Sequence, residues 1–233
     1  MADQQARLSW RDGTIPVSDQ FDDPYFSLQG GLAETEHVFL AGNDLPHRFA
    51  SGFQIAELGF GTGLSALTAW KAWEEAGMTA PLRFTSFEAF PMTPVEMAKA
   101  LTAFPEIAPW AARFLPFWQG GGVCELGTLQ LEVIIGDART SLPEWTGQAD
   151  AWFLDGFSPA KNPELWQPDL MQHVAQHTKP GGSAATYTAA GFVRRGLEDA
   201  GFEITRVPGF GRKRHMTKAR LHDTGQHGAD PNQ

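Results

Sequence analysis

The chain has 233 residues, 42% of them hydrophobic, which is enough to bury one sizeable core and too little for two full domains. Its single cysteine, Cys124, excludes an internal disulfide and a multi-cysteine metal site, and its seven histidines show no paired spacing such as H-E-x-x-H, so no metal is expected. No stretch approaches ~18 consecutive apolar residues and MADQQARLSWRD lacks a signal peptide's apolar centre, so a cytoplasmic protein without a membrane span is expected, and a net charge of −9 argues on average against a polyanionic partner.

Residues 1–50 alternate turn signals with short apolar runs and read as a lead-in that packs on the main domain. Within it, SWRDGTIPVS forms a small hairpin about Asp12-Gly13, and GLAETEHVFLAGN carries a short helix. The main domain, residues 51–220, opens on FQIAELGFGTGL: an apolar run, the carboxylate Glu57, then Gly59, Gly61 and Gly63 at alternate positions, with Phe60 between the first two. Glycines there can take positive φ and bring backbone N–H groups against a ligand, and the helix start that follows adds partial positive charge. A dinucleotide loop spaces its glycines G-x-G-x-x-G around a pyrophosphate. Here the pattern is G-x-G-x-G, and a carboxylate two residues before it repels phosphate. It suits a ligand with positive charge, such as the ammonium and sulfonium of S-adenosylmethionine. A tight strand-to-helix turn that binds nothing has the same pattern, so the rest of the chain decides.

After the loop, Leu64, Leu67, Trp70 and Trp73 recur at helical spacing until Gly77. PLRFTSFEAF is a strand ending in Glu88. TPVEMAKAL starts a helix with Thr93 as N-cap, Pro94 at the first position and Glu96 completing a capping box. A less regular stretch precedes two strands, VCEL and TLQLEVII, that flank Gly127 and run into Gly136-Asp137-Ala138. AWFLD closes at Asp155, a helical pattern from Glu164 ends at Lys179-Pro180-Gly181-Gly182, and SAATYT is the next strand. AGFVRRGLEDAG supplies the last helix, and two strands around Pro208 to Gly211 form an antiparallel hairpin at the sheet edge. Residues 221–233 are polar and are expected to be a disordered tail. Strands alternating with helices imply an α/β, doubly wound, mostly parallel sheet with its ligand site at the strand carboxyl ends.

On that frame Glu57, Glu88, Asp137 and Asp155 each fall at or just past a strand's carboxyl end, so four acids line one crevice. Glu88 can accept from ribose hydroxyls, and Asp137 with Ala138 can hold an adenine amino group. Any one of the four could be a helix cap or a surface charge, but jointly that reading is much weaker. Charge is also uneven: residues 191–220 carry eight cations against three acids. A basic end on an acidic body lets one face meet nucleic acid, although taken alone a solvated charged hairpin is the favoured reading.

These residues match a family. The ELGFGTG loop, the acid after the second strand, the acidic GDA turn and the PGG resemble class I S-adenosylmethionine-dependent methyltransferases. DAWFLDGFSPAKNPELW (150–166), AGFVRRGLEDAGF (190–202), GFGRKRHM (209–216) and the lead-in PYFSLQGGLAETEHVFLAGNDLPHRF (24–49) resemble the methyltransferase half of the bifunctional tRNA 5-methylaminomethyl-2-thiouridine biosynthesis proteins. The resemblance implies a Rossmann-like, seven-stranded sheet and a cytoplasmic enzyme. It would transfer a methyl group from S-adenosylmethionine to the aminomethyl nitrogen of 5-aminomethyl-2-thiouridine at the tRNA wobble position. Glu57, Gly59, Phe60, Gly61, Gly63, Glu88, Asp137 and Ala138 would hold the cofactor, and Asp155 would be catalytic, orienting the amine or taking its proton. Phe157 would stack on the uracil or pack in the core, and Lys161, Arg212, Lys213 and Arg214 would meet phosphates. The bifunctional relatives continue into a flavin-dependent oxidoreductase. This sequence has no second glycine fingerprint, so it is expected to be either a stand-alone or a truncated form that binds no flavin, with a separate oxidoreductase supplying the substrate. Three alternatives stand beside this reading: a nicotinamide or flavin oxidoreductase, a methyltransferase acting on another amine, and a non-catalytic RNA-binding module.

Overall fold

Asp12 and Gly13, with φ of 50° and 82°, reverse the chain between β1 (Leu8–Arg11) and β2 (Ile15–Ser18) at the hairpin expected from the Asp-Gly pair. The two-residue β3 (Asp23–Pro24) completes a small antiparallel meander in this computed structural model, which describes residues 5–27 and 30–222. The short helix expected in the lead-in is α1 (Gly31–Thr35), which continues through a wider turn at Glu36–Leu40 and a tighter one at Ala41–Asn43. Asn43 is fully buried. Its amide donates to the carbonyls of Phe39 (3.0 Å) and Trp152 (3.2 Å) and accepts from Ser183 (2.6 Å), which pins the lead-in to the central sheet. Most of the expected tail lies outside the described residues.

The main domain alternates strands and helices: β4 (Gln54–Leu58), α2 (Leu64–Glu75), β5 (Leu82–Glu88), α3 (Pro94–Leu101), α4 (Ala108–Phe114), β6 (Gly122–Glu125), β7 (Leu129–Ile135) and α5 (Ala138–Glu144). It continues with β8 (Ala149–Leu154), α6 (Pro168–Gln176), β9 (Thr178–Thr186), α7 (Gly191–Asp199), β10 (Phe202–Pro208) and β11 (His215–Leu221). One sheet holds eight of these strands in the order β10-β11-β9-β8-β4-β5-β7-β6. The five central strands are parallel, and β11 joins β9 antiparallel with β10 outside it. The count exceeds the expected seven because β6 pairs antiparallel with β7 along the far edge. α3 begins as its capping box requires: Thr93 accepts from the Glu96 N–H, and Glu96 accepts from the Thr93 N–H.

Two elements differ from their sequence reading. The helical pattern from Glu164 is split, because Pro168 lacks an N–H and holds Gln167 extended at ψ 148°. A tight turn at Pro163–Trp166 therefore precedes α6. The Lys179-Pro180-Gly181-Gly182 stop lies inside β9, where pairing to β8 shifts register between Ala149 and Ala151 and absorbs the extra residues.

Alternation along the strands fills two cores. Ile55, Phe84, Ala151 and Phe153 face α2, α4 and the lead-in. Ala56, Leu58, Phe87, Trp152 and Leu154 face α5, α6 and α7. Trp70 and Trp73, expected as core from their spacing, are fully buried. Glu74 ties this layer together. It accepts from both ends of the Arg113 guanidinium (2.9 and 3.0 Å), from Trp110 Nε1 (2.9 Å) and from the Thr128 hydroxyl (2.5 Å), which itself accepts from Trp70 Nε1 (2.9 Å). The Arg113 hydrogen bonds, followed by those from Thr128 and Trp110, hold the Glu74 carboxyl down at about 2 against burial. No helix among the described residues is long and apolar enough to cross a membrane.

Because the folded-state pKa of Glu74 is depressed, its stabilisation is present above the ordinary carboxylate range and is lost as pH falls toward about 2. Glu74→Gln is therefore expected to cost about 1–2 kcal/mol near neutral pH, the partial exposure of the pair limiting the loss. Urea unfolding should show the gap from the parent protein narrowing at acid pH; a gap independent of pH would contradict the assigned charge.

Candidate functional site

β4, β5, β7 and β8 run parallel, so their carboxyl ends meet at one edge of the sheet, and the segments that leave them wall a cavity of about 1060 Å³. The glycine loop spans it. Gly59 donates to the Phe87 carbonyl (2.9 Å), and Gly61 donates to Glu88 Oε2 (2.8 Å). Gly63, at φ 75°, turns the chain into α2. A side chain at Gly59 is impossible without rearrangement, because a Cβ there would lie 2.3 Å from the Asp155 carbonyl oxygen. The loop's backbone thus approaches the start of the β8 loop more closely than any other residue type allows.

Three carboxylates crowd this edge. Glu88 is nearly buried, and burial raises its pKa, but Gly61 and Phe90 (2.7 Å) each give an N–H to one of its oxygens and oppose that rise. Lone pairs remain on both oxygens for a ligand's hydroxyls. Asp155 is half-buried, lines the cavity and accepts from the Ser65 hydroxyl at 3.1 Å. Burial pushes it up to about 7, Ser65 and Lys213 pull it down, and Glu34 adds to the rise. Glu57 is the third, and it does not line the cavity. The pleat turns it under the loop toward α2, where it is fully buried beside Ser86, which donates to its Oε2 at 2.7 Å. Its Oε1 lacks a partner of good hydrogen-bond geometry; burial followed by repulsion from Asp155 lifts Glu57 well above the carboxylate range, against the pull of the Ser86 and Ser65 hydroxyls. A cavity backed by under-compensated carboxylates fits a cationic ligand, whose charge would favour their ionised forms.

The other expected residues divide. Ala138 lines the cavity, as does Asp137, but the Asp137 carboxylate caps α5 through Arg139 N–H (2.9 Å) and grips the Arg139 guanidinium, which lowers its pKa. Phe60 reaches the wall while its ring stacks on Trp118 (5.0 Å, 29°). Phe157 sits in the cavity wall against two rings: Phe21 stacks on it (4.9 Å, 29°), and Tyr25 meets it edge-on (4.9 Å). Lys161, expected to face phosphate, is paired with Asp22 (3.2 Å) and Asp23 (3.8 Å). Lys213 likewise turns inward, to Glu34 (2.7 Å) and over the Tyr187 ring (4.1 Å). Arg212, at the cavity mouth, and Arg214 are exposed. Among the described residues no group of three or more His, Cys, Asp or Glu could hold a metal ion.

Sequence reasoning missed Phe21, Asp23, Tyr25, Glu34, Ser65 and Tyr187, all of which line the cavity. Asp23 accepts from the Ser158 N–H (2.9 Å), and Tyr187 donates to the Gly156 carbonyl (2.7 Å), so the lead-in and the end of β9 grip the Asp155 loop from two sides. The only signal was the density of aromatics and acids in FDDPYF.

A family model described as S-adenosyl-L-methionine-dependent methyltransferase matches residues 107–222. Two curated relatives are named tRNA 5-methylaminomethyl-2-thiouridine biosynthesis bifunctional protein MnmC. The one from Chromobacterium violaceum is 46% identical over 230 residues, covering 93% of this chain and 34% of the relative. The one from Stutzerimonas stutzeri is 45% identical over 239 residues, covering 97% and 36%. The chain therefore spans about a third of the length of the curated relatives it matches. Among solved structures, that of MNMC2 from Aquifex aeolicus aligns at 26% identity with a TM-score of 0.74, over 93% of this chain and 71% of the other.

Gly59→Ala tests the geometry directly. The carbonyl it would strike is backbone and cannot swing away, so the variant should lose about 2 kcal/mol or more of stability or displace the loop. Thermal unfolding read beside calorimetric titration of S-adenosylmethionine should show one or both losses; unchanged values would mean that the loop and the β8 end are not packed this closely.

Proposed function

We propose, from the premise that the chain belongs to the S-adenosyl-L-methionine-dependent methyltransferase family, that it methylates the aminomethyl nitrogen of 5-aminomethyl-2-thiouridine at the tRNA wobble position. The bound cofactor supplies a methyl group activated on a sulfonium. Gly59, Phe60, Gly61 and Gly63 would form its backbone cradle. Glu88 would accept from its ribose, Asp137 and Ala138 would flank its adenine, and Glu57 would act from beneath the loop.

The observation that carries this reading is Asp155. It lies beside the glycine loop, faces the cavity, and is held near a pKa of about 7. An aminomethyl group reaches the site largely as an ammonium, which cannot attack. Asp155 would take one proton from that ammonium and later release it to solvent, leaving a neutral amine whose lone pair can accept the methyl group the cofactor would supply, so that the product departs as a secondary ammonium. Aromatic residues Phe157, Phe21 and Tyr25 supply faces for the uracil, with Phe21 yielding its place on Phe157. Arg212 and Arg214 meet tRNA phosphates. Lys161 and Lys213, already paired with carboxylates, order the site.

Asp155→Ala should lower methyl transfer by ~10²-fold or more with tRNA affinity nearly intact. Asp155→Asn keeps a hydrogen-bond acceptor but not a base, so its residual rate separates orienting from proton transfer. The parent enzyme should lose activity as pH falls through about 7, since protonated Asp155 cannot accept. The measurement is transfer of labelled methyl to tRNA from cells lacking the modification, followed by nucleoside analysis. Label on protein, or none on the wobble uridine, sinks the reading.

Replacing Arg212 and Arg214 by alanine should weaken tRNA binding and reduce the salt slope by about one for each phosphate no longer neutralised, leaving cofactor affinity unchanged. A slope that does not move would mean the hairpin is only solvated.

A further inference from the structure

Ser65 is the second residue of α2, 3% exposed, and faces the cavity. Thr68, one turn further on, bonds back to the Leu64 carbonyl at 2.7 Å, but Ser65 stands in the first turn and has no helical carbonyl four residues behind it. Ser65 instead reaches Asp155 Oδ2, 90 residues away in sequence, at 3.1 Å. The reach is set by the glycine loop, because Gly63 in its left-handed conformation fixes where the first turn of α2 begins. Asp155 is held from the same direction through its backbone, with its N–H on the Leu58 carbonyl (3.1 Å) and its own carbonyl against Gly59. The cofactor loop therefore sets both the position of the acid's main chain and the torsion of its side chain.

The groups around that carboxyl make the hydroxyl consequential. Glu57 on β4 is close enough to be repelled by it and also shares a hydrogen bond with the Ser65 hydroxyl, with Glu88 on β5 next to Glu57. Glu34 on α1 and the Tyr187 ring after β9 face Asp155, Asp23 on β3 faces that same ring, and Lys213 on the β10–β11 loop is the cation among them. Lys213 is spent on Glu34 at 2.7 Å. A carboxylate surrounded by other carboxylates depends heavily on any donor aimed at it.

We propose that Ser65 is a positioning residue for methyl transfer: its hydroxyl holds Oδ2 of Asp155, commits Oδ1 to the incoming amine, and keeps the carboxylate in its proton-accepting form. The proposal rests on the role of Asp155 given above. It makes the first turn of α2 the mechanical link between the cofactor loop and the base, so that the loop which cradles the cofactor also aims the group that receives the proton.

The test is the titration of Asp155 in the cofactor-free protein, followed through its carboxyl carbon by NMR after aspartate labelling and assigned with Asp155→Asn. In the parent the midpoint should fall near about 7. In Ser65→Ala it should rise by about one pH unit, as expected when a neutral donor to a charged group is removed. Ser65→Cys, almost isosteric but a poor donor, should move it the same way and covers the case in which alanine perturbs folding. In methyl transfer to tRNA, both variants should lose roughly tenfold in kcat below the parent's acid limb and recover at higher pH, with KM for tRNA little changed. An Asp155 midpoint unmoved in both Ser65 variants overturns the proposal while leaving the catalytic reading of Asp155 standing. Full methyl transfer by Asp155→Ala overturns both.

Discussion

The close packing of Gly59 against the Asp155 carbonyl is the constraint on which the site depends. Leu58 and Leu154 are paired neighbours on β4 and β8, so the next residues of the two strands leave the sheet side by side, and only a residue without a Cβ lets them touch. On its other flank the loop is tied to β5 by the Gly59 N–H on Phe87 and the Gly61 N–H on Glu88. It is therefore strung between two carboxylate-bearing strand ends. Neither acid can shift without moving the loop, and a cofactor seated in the loop is held in register with both.

Charge is partitioned on the same plan. The interior of the crevice is acidic and short of cations, which suits a positively charged cofactor and a positively charged amine. Both lysines that line the cavity are already occupied. Lys161 and Lys213 neutralise Asp22, Asp23 and Glu34 on the lead-in and fasten that segment across the opening. The outward arginines of the same basic run remain for an anionic partner. One stretch of positive sequence thus divides into residues that close the protein on itself and residues that face out.

Much of this was legible in the sequence wherever the governing interaction is local. The Asp12-Gly13 turn, the Thr93 capping box and the end of β5 at Glu88 each follow from a few adjacent residues, and the structure has them there. The glycine loop and the acids at strand ends were legible for the same reason. The direction of Glu57 was not, because every residue of β4 is buried on both faces and the usual polar alternation is absent. The partners of Lys161 and Lys213 lie more than a hundred residues away in sequence, and so does Phe21, which covers Phe157. Spacing rules carry no information at that range. The start of β9 was misplaced because Pro180-Gly181-Gly182 reads as a stop, whereas a register shift accommodates it within the strand.

The placement of β11 between β9 and β10 has a consequence for assembly. β10 is made first, yet it has no edge to join until β11 is seated against β9, so β10 enters the sheet only with or after β11. The loop at the tip of that hairpin delivers Lys213 to Glu34 and the Tyr187 ring. The edge of the sheet and one wall of the cavity are therefore built from the same hairpin, so whatever loosens β11 from β9 also opens the crevice on that side.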